Sequence, residues 1–233
     1  MAAESGLHGI DFLNEADWPL ARDHGLVCTM AWASSAPWYE QIPKGLNDPA
    51  NHDTMVASLL ATIPKAAKAR VPSVIAFFGN RNGRGDDEAI RNCVSGLERA
   101  KKAAEDYGVT IALELLNSKV DHKDYQGDRT WFGVEVVKRL ASPKVKLLYE
   151  IYHMQIMEGD VVRTIRDNHA WIDHFHTAGV PGRHEPDASQ ELNYAAVSRA
   201  IVETGFTGSL CHEFTPTREP IQSLREAVAL CDV

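Results

Sequence analysis

Short apolar runs alternate along the chain with stretches whose apolar residues recur at helical spacing. The runs begin at Gly9 (GIDFL), Leu26 (LVCTMAWA), Ser73 (SVIAFFGN), Val109 (VTIALELLN), Val145 (VKLLYEIYH), Trp171 (WIDHFHTAG) and Gly208 (GSLCHEF). Between them, Thr54 to Ala69, Asp87 to Tyr107, Gly133 to Leu140, Asp160 to His169, Ala195 to Thr204 and Ile221 to Leu230 read as amphipathic helices. Strands alternating with helices predict βαβ units and a parallel sheet. Gly25, Gly108 and Gly205 fall where a helix would end and a strand begin, the position that favours glycine. No linker, low-complexity tract or charge block divides the chain, so residues 1–233 are expected to form one domain. Seven strand–helix units are one short of the eight that close a (β/α)8 barrel. The first run lies close to Met1, which implies either an open sheet or a barrel lacking its first strand and helix.

The polar residues of these runs gather at their C-terminal ends, where parallel α/β proteins build active sites. Glu114 stands inside an otherwise aliphatic run, and a buried unpaired carboxylate is costly unless it is paired, protonated, bound to metal or chemically employed. Alternation places Ala112, Glu114 and Leu116 on one face of their strand, and Leu148, Glu150 and Tyr152 on one face of theirs, with His153 at the exit. His174 and His176 share a face, as do Cys211 and Glu213. Carboxylates and an imidazole from four strands suit a hard divalent cation such as Mg²⁺ or Mn²⁺. Strand-end acids also serve as ion-pair partners, and histidines as hydrogen-bonded core groups; the pattern leaves both readings open.

Composition narrows the picture. The 233 residues are 44% hydrophobic, enough for a substantial core. No run approaches the roughly 20 apolar residues of a membrane span, and the first residues have no secretory pattern, so a cytoplasmic location is expected. A net charge of -8 without a basic stripe argues against nucleic-acid or anionic-membrane partners. Cys28, Cys93, Cys211 and Cys231 are too scattered for a zinc site and read as free thiols. GNRNGRGD lacks the P-loop lysine; as a strand-exit loop it would line a pocket with Asn80 or Arg81. Trp32 and Trp38 read as packing or as a shield for that pocket, His184 and Glu185 as solvated loop residues, and His52 and His122 as surface residues.

The segments GNRNG (Gly79), ELLNSKVDHKDY (Glu114), IYHMQIMEGDVVRTIRDN (Ile151), HFHTAGVPGRHE (His174), QELNY (Gln190) and HEFTPTREP (His212) closely resemble the hydroxypyruvate isomerase family. That family lies within the xylose isomerase-like barrels, which also include ketose 3-epimerases. The resemblance runs from about Gly9 to Val233. It implies a (β/α)8 TIM barrel, here lacking its first β-strand and helix, and one divalent metal, Mg²⁺ or Mn²⁺, held by Glu114, Glu150, His176 and Glu213. The family carries Asp where this chain has Glu150, and Gln where it has His212, which by alternation faces the helix layer as packing support.

The activity implied is interconversion of hydroxypyruvate and tartronate semialdehyde through an enediolate. Glu114 and Glu213 would be the acid–base pair, His153 would hydrogen-bond a substrate oxygen, and Arg183 would grip the substrate carboxylate. A ketose 3-epimerase or other keto-sugar isomerase is the alternative on the same scaffold. A catalytically impaired homologue is a third reading, raised by Glu150 and the missing unit. The partner expected is a small hydroxy-keto acid or sugar, and an unfinished barrel edge is expected to seek a second copy.

Overall fold

The computed structural model describes residues 1–33 and 38–233; the side chain of Trp38 lies outside the described residues. Among the described residues there are eight strands: β1 (Gly9–Ile10), β2 (Val27–Cys28), β3 (Met30–Trp32), β4 (Ser73–Phe77), β5 (Thr110–Glu114), β6 (Val145–Glu150), β7 (Ile172–Thr177) and β8 (Ser209–His212). The helices are α1 (Trp18–Asp23), α2 (Trp38–Gln41), α3 (His52–Ala69), α4 (Asp86–Tyr107), α5 (Thr130–Leu140), α6 (Ile151–Met157), α7 (Val161–Asn168), α8 (Tyr194–Glu203) and α9 (Pro220–Cys231). Strands β3 to β8 form one parallel sheet in chain order, and β1 pairs parallel with β2. Because only Thr29 separates β2 from β3, they follow a single strand path, so the seven predicted runs occupy seven successive positions of a curled sheet.

Every residue of β4 and β5 is buried. Both faces of a parallel sheet are covered, one by helices and one by the barrel interior, which explains their unbroken apolar character. Helix α4 packs Ala89, Ile90, Cys93, Leu97, Ala100 and Ala104 inward, a stripe at steps of three and four residues. It ends at Gly108, whose φ of 71° lets its N–H reach the Ala104 carbonyl. By contrast, all four residues of β8 are only half-buried, and among the described residues no strand pairs with its outer edge.

Among the described residues three short helices, α1, α2 and α6, are absent from the sequence reading. In α6, the run VKLLYEIYH leaves the sheet at Glu150, whose carboxylate accepts a hydrogen bond from the Tyr152 N–H at 3.2 Å and caps the helix. His153 therefore sits in a helical first turn rather than at a strand exit. The segment before α3 lies directly on the end of β4, where the Leu46 and Asn47 N–H groups donate to the Phe77 and Phe78 carbonyls. Gly45 permits this approach: a Cβ there would lie 2.0 Å from the Gly79 nitrogen.

His52 corrects its reading as a surface residue. It is buried, with Nε2 2.9 Å from the Leu46 carbonyl, because α3 turns its first residue against that segment. All four cysteines are free, as expected. Among the described residues no helix is long and apolar enough to cross a membrane.

Candidate active site

The C-terminal ends of β5, β6, β7 and β8 bring Glu114, Glu150, His176 and Glu213 together. Register explains the convergence: Glu150 is paired with His176 across β6 and β7, and the N–H of Glu213, just beyond β8, donates to the carbonyl of Thr177, the last residue of β7. One oxygen or nitrogen from each of the four residues lies within 4.8 Å of every other. His176 Nδ1 is 2.9 Å from Glu213 Oε2 and 3.4 Å from Glu150 Oε2.

Three carboxylates this close repel one another, and the structure relieves the repulsion unevenly. Burial, reinforced by the charges of Glu213 and Glu150, pushes Glu114 up to about 8. Burial likewise raises Glu150. Burial also acts to raise Glu213, but the hydrogen bond with His176 and the charges of His176 and Arg183 hold it well below the usual carboxylate range. For His176, burial is outweighed by Asp11, Glu150 and Glu213, so the imidazole is held protonated. Glu150 Oε2 is buried with no hydrogen-bond partner. An orphaned carboxylate oxygen beside two further carboxylates and an imidazole is a donor set that fits a hard divalent cation.

The sequence reading missed Asp11. Its Oδ2 lies 2.8 Å from His174 Nε2 and 2.9 Å from His176 Nε2, and its Oδ1 accepts from the Thr29 hydroxyl. Burial opposes ionisation, yet the two histidines hold the Asp11 carboxyl far below its ordinary range. By engaging Nε2 of His176, Asp11 directs Nδ1 toward Glu150 and Glu213, the arrangement in which a second carboxylate orients a metal-binding histidine. Its signal was the one that exposed Glu114, an acid inside an apolar run. Pairing across 163 and 165 residues, from β1 to β7, was not visible in local periodicity.

A cavity of about 340 Å³ opens beside the cluster, and Glu114, Glu213, Arg183, His122, Trp32 and Phe12 all face it. Trp32 and Phe12 stack with ring centroids 4.3 Å apart, forming an apolar wall. Arg183 adopts φ 59°, stacks 5.4 Å from the Tyr152 ring, and donates from Nη2 to Glu213 Oε2 at 2.8 Å. It therefore reaches the acidic cluster as well as the cavity. His153 is fully buried, and its Nε2 has no partner.

Other candidates are placed differently. His122 lines the cavity instead of the outer surface, because it packs 5.3 Å from the His153 ring. Arg81 turns away to Asp86 and Asp128, at 2.7 and 2.9 Å, and borders a separate polar hollow. Glu185 is buried, not solvated: it accepts from the Thr217 N–H and the Thr217 and Ser223 hydroxyls, tying the loop after β7 to the start of α9. His212 faces the hydroxyl of Thr177 at 2.7 Å, and burial lowers it to about 4, which agrees with a supporting role.

Residues 18–232 match the xylose isomerase-like TIM-barrel family. The chain belongs to that family. A 2-oxo-tetronate isomerase of Cupriavidus necator is 35% identical over 123 residues, 53% of this chain and 46% of that protein. A Drosophila melanogaster protein provisionally named hydroxypyruvate isomerase is 37% identical over 176 residues, 76% of this chain and 66% of that protein. The chain thus matches about half and about two thirds of these relatives' lengths. Among solved structures, a protein titled AP endonuclease, family 2, from Brucella melitensis superposes with a TM-score of 0.85 at 25% identity, covering 96% of this chain and 88% of that one. The family's (β/α)8 barrel is the expected fold, and the parallel sheet with its outer helices follows it from β1 to β8.

Proposed function

We propose that this xylose isomerase-like protein is a metal-dependent isomerase of a small hydroxy-keto acid, interconverting hydroxypyruvate and tartronate semialdehyde. The observation that carries this reading is the buried convergence of Glu114, Glu150, His176 and Glu213, with an unsatisfied Glu150 oxygen, beside a cavity containing Arg183. The names of the two relatives support it, since both refer to keto-acid or keto-sugar isomerases. A cation held by Glu114, Glu150, His176 and Glu213 would act as a Lewis acid, stabilising the negative charge that develops on the substrate oxygens.

The protein groups handle the protons. Glu213, the ionised member of the pair, removes a proton from C3 of hydroxypyruvate, and Glu114 delivers one to C2 of the resulting enediolate. The hydroxyl proton moves from the C3 oxygen to the C2 oxygen, so the reaction is a net isomerisation. Arg183 pairs with the substrate carboxylate, and His153 donates to a substrate oxygen. Phe12 and Trp32 cover the cavity wall and keep bulk water from the enediolate.

An AP endonuclease title on a fold neighbour does not redirect this reading. The net charge of -8 lacks the basic footprint of a nucleic-acid enzyme, and the small cavity suits a compact ligand. The test is to strip metal with a chelator, restore Mg²⁺ or Mn²⁺, and follow hydroxypyruvate by NMR. Metal-restored formation of tartronate semialdehyde supports the proposal. A metal-induced rise in melting temperature without turnover would move the assignment to a ketose 3-epimerase or another keto-sugar substrate, and neither response would identify an impaired homologue.

A further inference from the structure

His153 has an unusual hydrogen-bond inventory. Its ring is fully buried between Tyr152 and His122, with centroids 5.0 and 5.3 Å away, and Nε2 has no partner. Nδ1 lies 2.6 Å from Asn117 Nδ2. Which of these atoms carries hydrogen follows from the rest of the Asn117 side chain.

Asn117 is itself fully buried and fully engaged. Its Oδ1 accepts from the Val120 and Asp121 N–H groups, each at 2.9 Å. Its Nδ2 donates to Asp121 Oδ2 at 2.6 Å. Reversing the amide would set its NH₂ against two backbone donors and its carbonyl against a carboxylate, so three contacts fix the orientation independently. The second Nδ2 hydrogen then points to His153 Nδ1, which must accept. Asp121 lies 3.8 Å from the same nitrogen, too far to reverse that assignment.

We propose that Asn117, held by Asp121, is a positioning residue that locks His153 as its Nε2–H tautomer, presenting a neutral donor to an acceptor oxygen of the ligand. A neutral imidazole donor polarises a carbonyl or steadies a developing oxyanion without itself moving a proton. It also explains why a buried N–H is left without a protein partner. The placement excludes His153 as a general base, because its only lone pair faces Asn117. It favours ligands with a carbonyl, carboxylate or alkoxide oxygen at this position over ligands presenting an ammonium or amide N–H. This inference deepens the isomerase proposal and depends on it only for the identity of the ligand.

The test exchanges the pair. In the double variant Asn117→Asp/Asp121→Asn, an amide and a carboxylate still hydrogen-bond each other, but the group facing His153 becomes an acceptor. Nitrogen-15 NMR of histidine-labelled protein, with His153 signals assigned by their loss in His153→Gln, reads the tautomer directly. The wild type is expected to show a protonated Nε2 and an unprotonated Nδ1 at neutral pH, and the exchanged pair the reverse. Asn117→Ala, which removes the donor without adding charge, is expected to lose the preference. With hydroxypyruvate, the exchanged pair should lower kcat by about 100-fold and change KM far less, as for a lost oxyanion donor.

A wild-type His153 carrying hydrogen on Nδ1, or an exchanged pair that retains Nε2–H, would overturn the inference. A wild type with the expected tautomer that isomerises no hydroxypyruvate would defeat the isomerase reading alone and leave the positioning role standing.

Discussion

Replacing Asp11 by alanine removes the carboxylate that holds both histidines of β7. In the wild type, Asp11 Oδ2 engages His174 Nε2 at 2.8 Å and His176 Nε2 at 2.9 Å. Both histidines are buried, at 2% and 1% exposure, so no bulk water replaces the lost oxygen. Each ring nitrogen left without its partner costs about 1–3 kcal/mol, giving about 2–6 kcal/mol for the pair. For a chain of this size each kcal/mol corresponds to about 2–4 °C, so the melting temperature should fall by about 4–24 °C. A second consequence separates this from ordinary destabilisation. Without Asp11, His176 retains its hydrogen on Nδ1, toward Glu213, and must change tautomer before Nδ1 binds a cation. Metal affinity should therefore fall by about 10–100-fold. Calorimetric titration of Mg²⁺ or Mn²⁺ into folded Asp11→Asn and Asp11→Ala proteins measures it. Wild-type affinity in both variants would refute the orienting role, whatever happened to stability.

Three further outcomes follow from particular contacts. Metal binding at His176 should release a proton, because its carboxylate neighbours hold the imidazole protonated without metal, so affinity should climb with pH; titration in buffers of different ionisation enthalpy counts the proton. Glu185, whose hydrogen bonds outweigh burial and lower it to about 2 from 4.5, should stabilise the fold fully above about 4.5 and progressively less as pH falls toward 2. Thermal melts should accordingly place Glu185→Gln several degrees below wild type at neutral pH, with the difference shrinking in acid; a gap that is constant with pH would remove the carboxylate from the explanation. Gly45→Ala should cost about 3 kcal/mol, because its Cβ would meet the backbone of Gly79 and Phe78 at 2.0 Å, and a melting temperature equal to wild type would contradict the close approach.

The sequence made the framework legible because a parallel sheet covered on both faces leaves long apolar runs, and because its strand ends collect the exceptions. Glu114, Glu150, His176 and Glu213 were readable for that reason, with the family resemblance selecting His176 over His174. What local pattern did not carry was partnership across the barrel. Asp11 meets His174 and His176 only because β1 curls round to β7, and Glu185 is buried only because the start of α9 folds over its loop. The short helix α6 was hidden for another reason: Glu150 both ends the strand and caps the helix, so the apolar run continues through a change of backbone. Arg81 looked like a pocket residue by position, yet its guanidinium had two nearer carboxylates.

In the proposed reaction Glu213 takes a proton from one carbon and Glu114 returns one to its neighbour beside a bound cation. Deuterium exchange tests it most directly: hydroxypyruvate is incubated in D₂O with Mg²⁺-loaded protein, and its carbon-bound hydrogen is followed by NMR. The wild type should introduce deuterium at C3 well above the buffer rate, chelation should abolish this, and Glu213→Gln should slow it by about 100-fold or more. Exchange no faster than buffer in the metal-loaded wild type, or undiminished exchange in Glu213→Gln, would contradict the account.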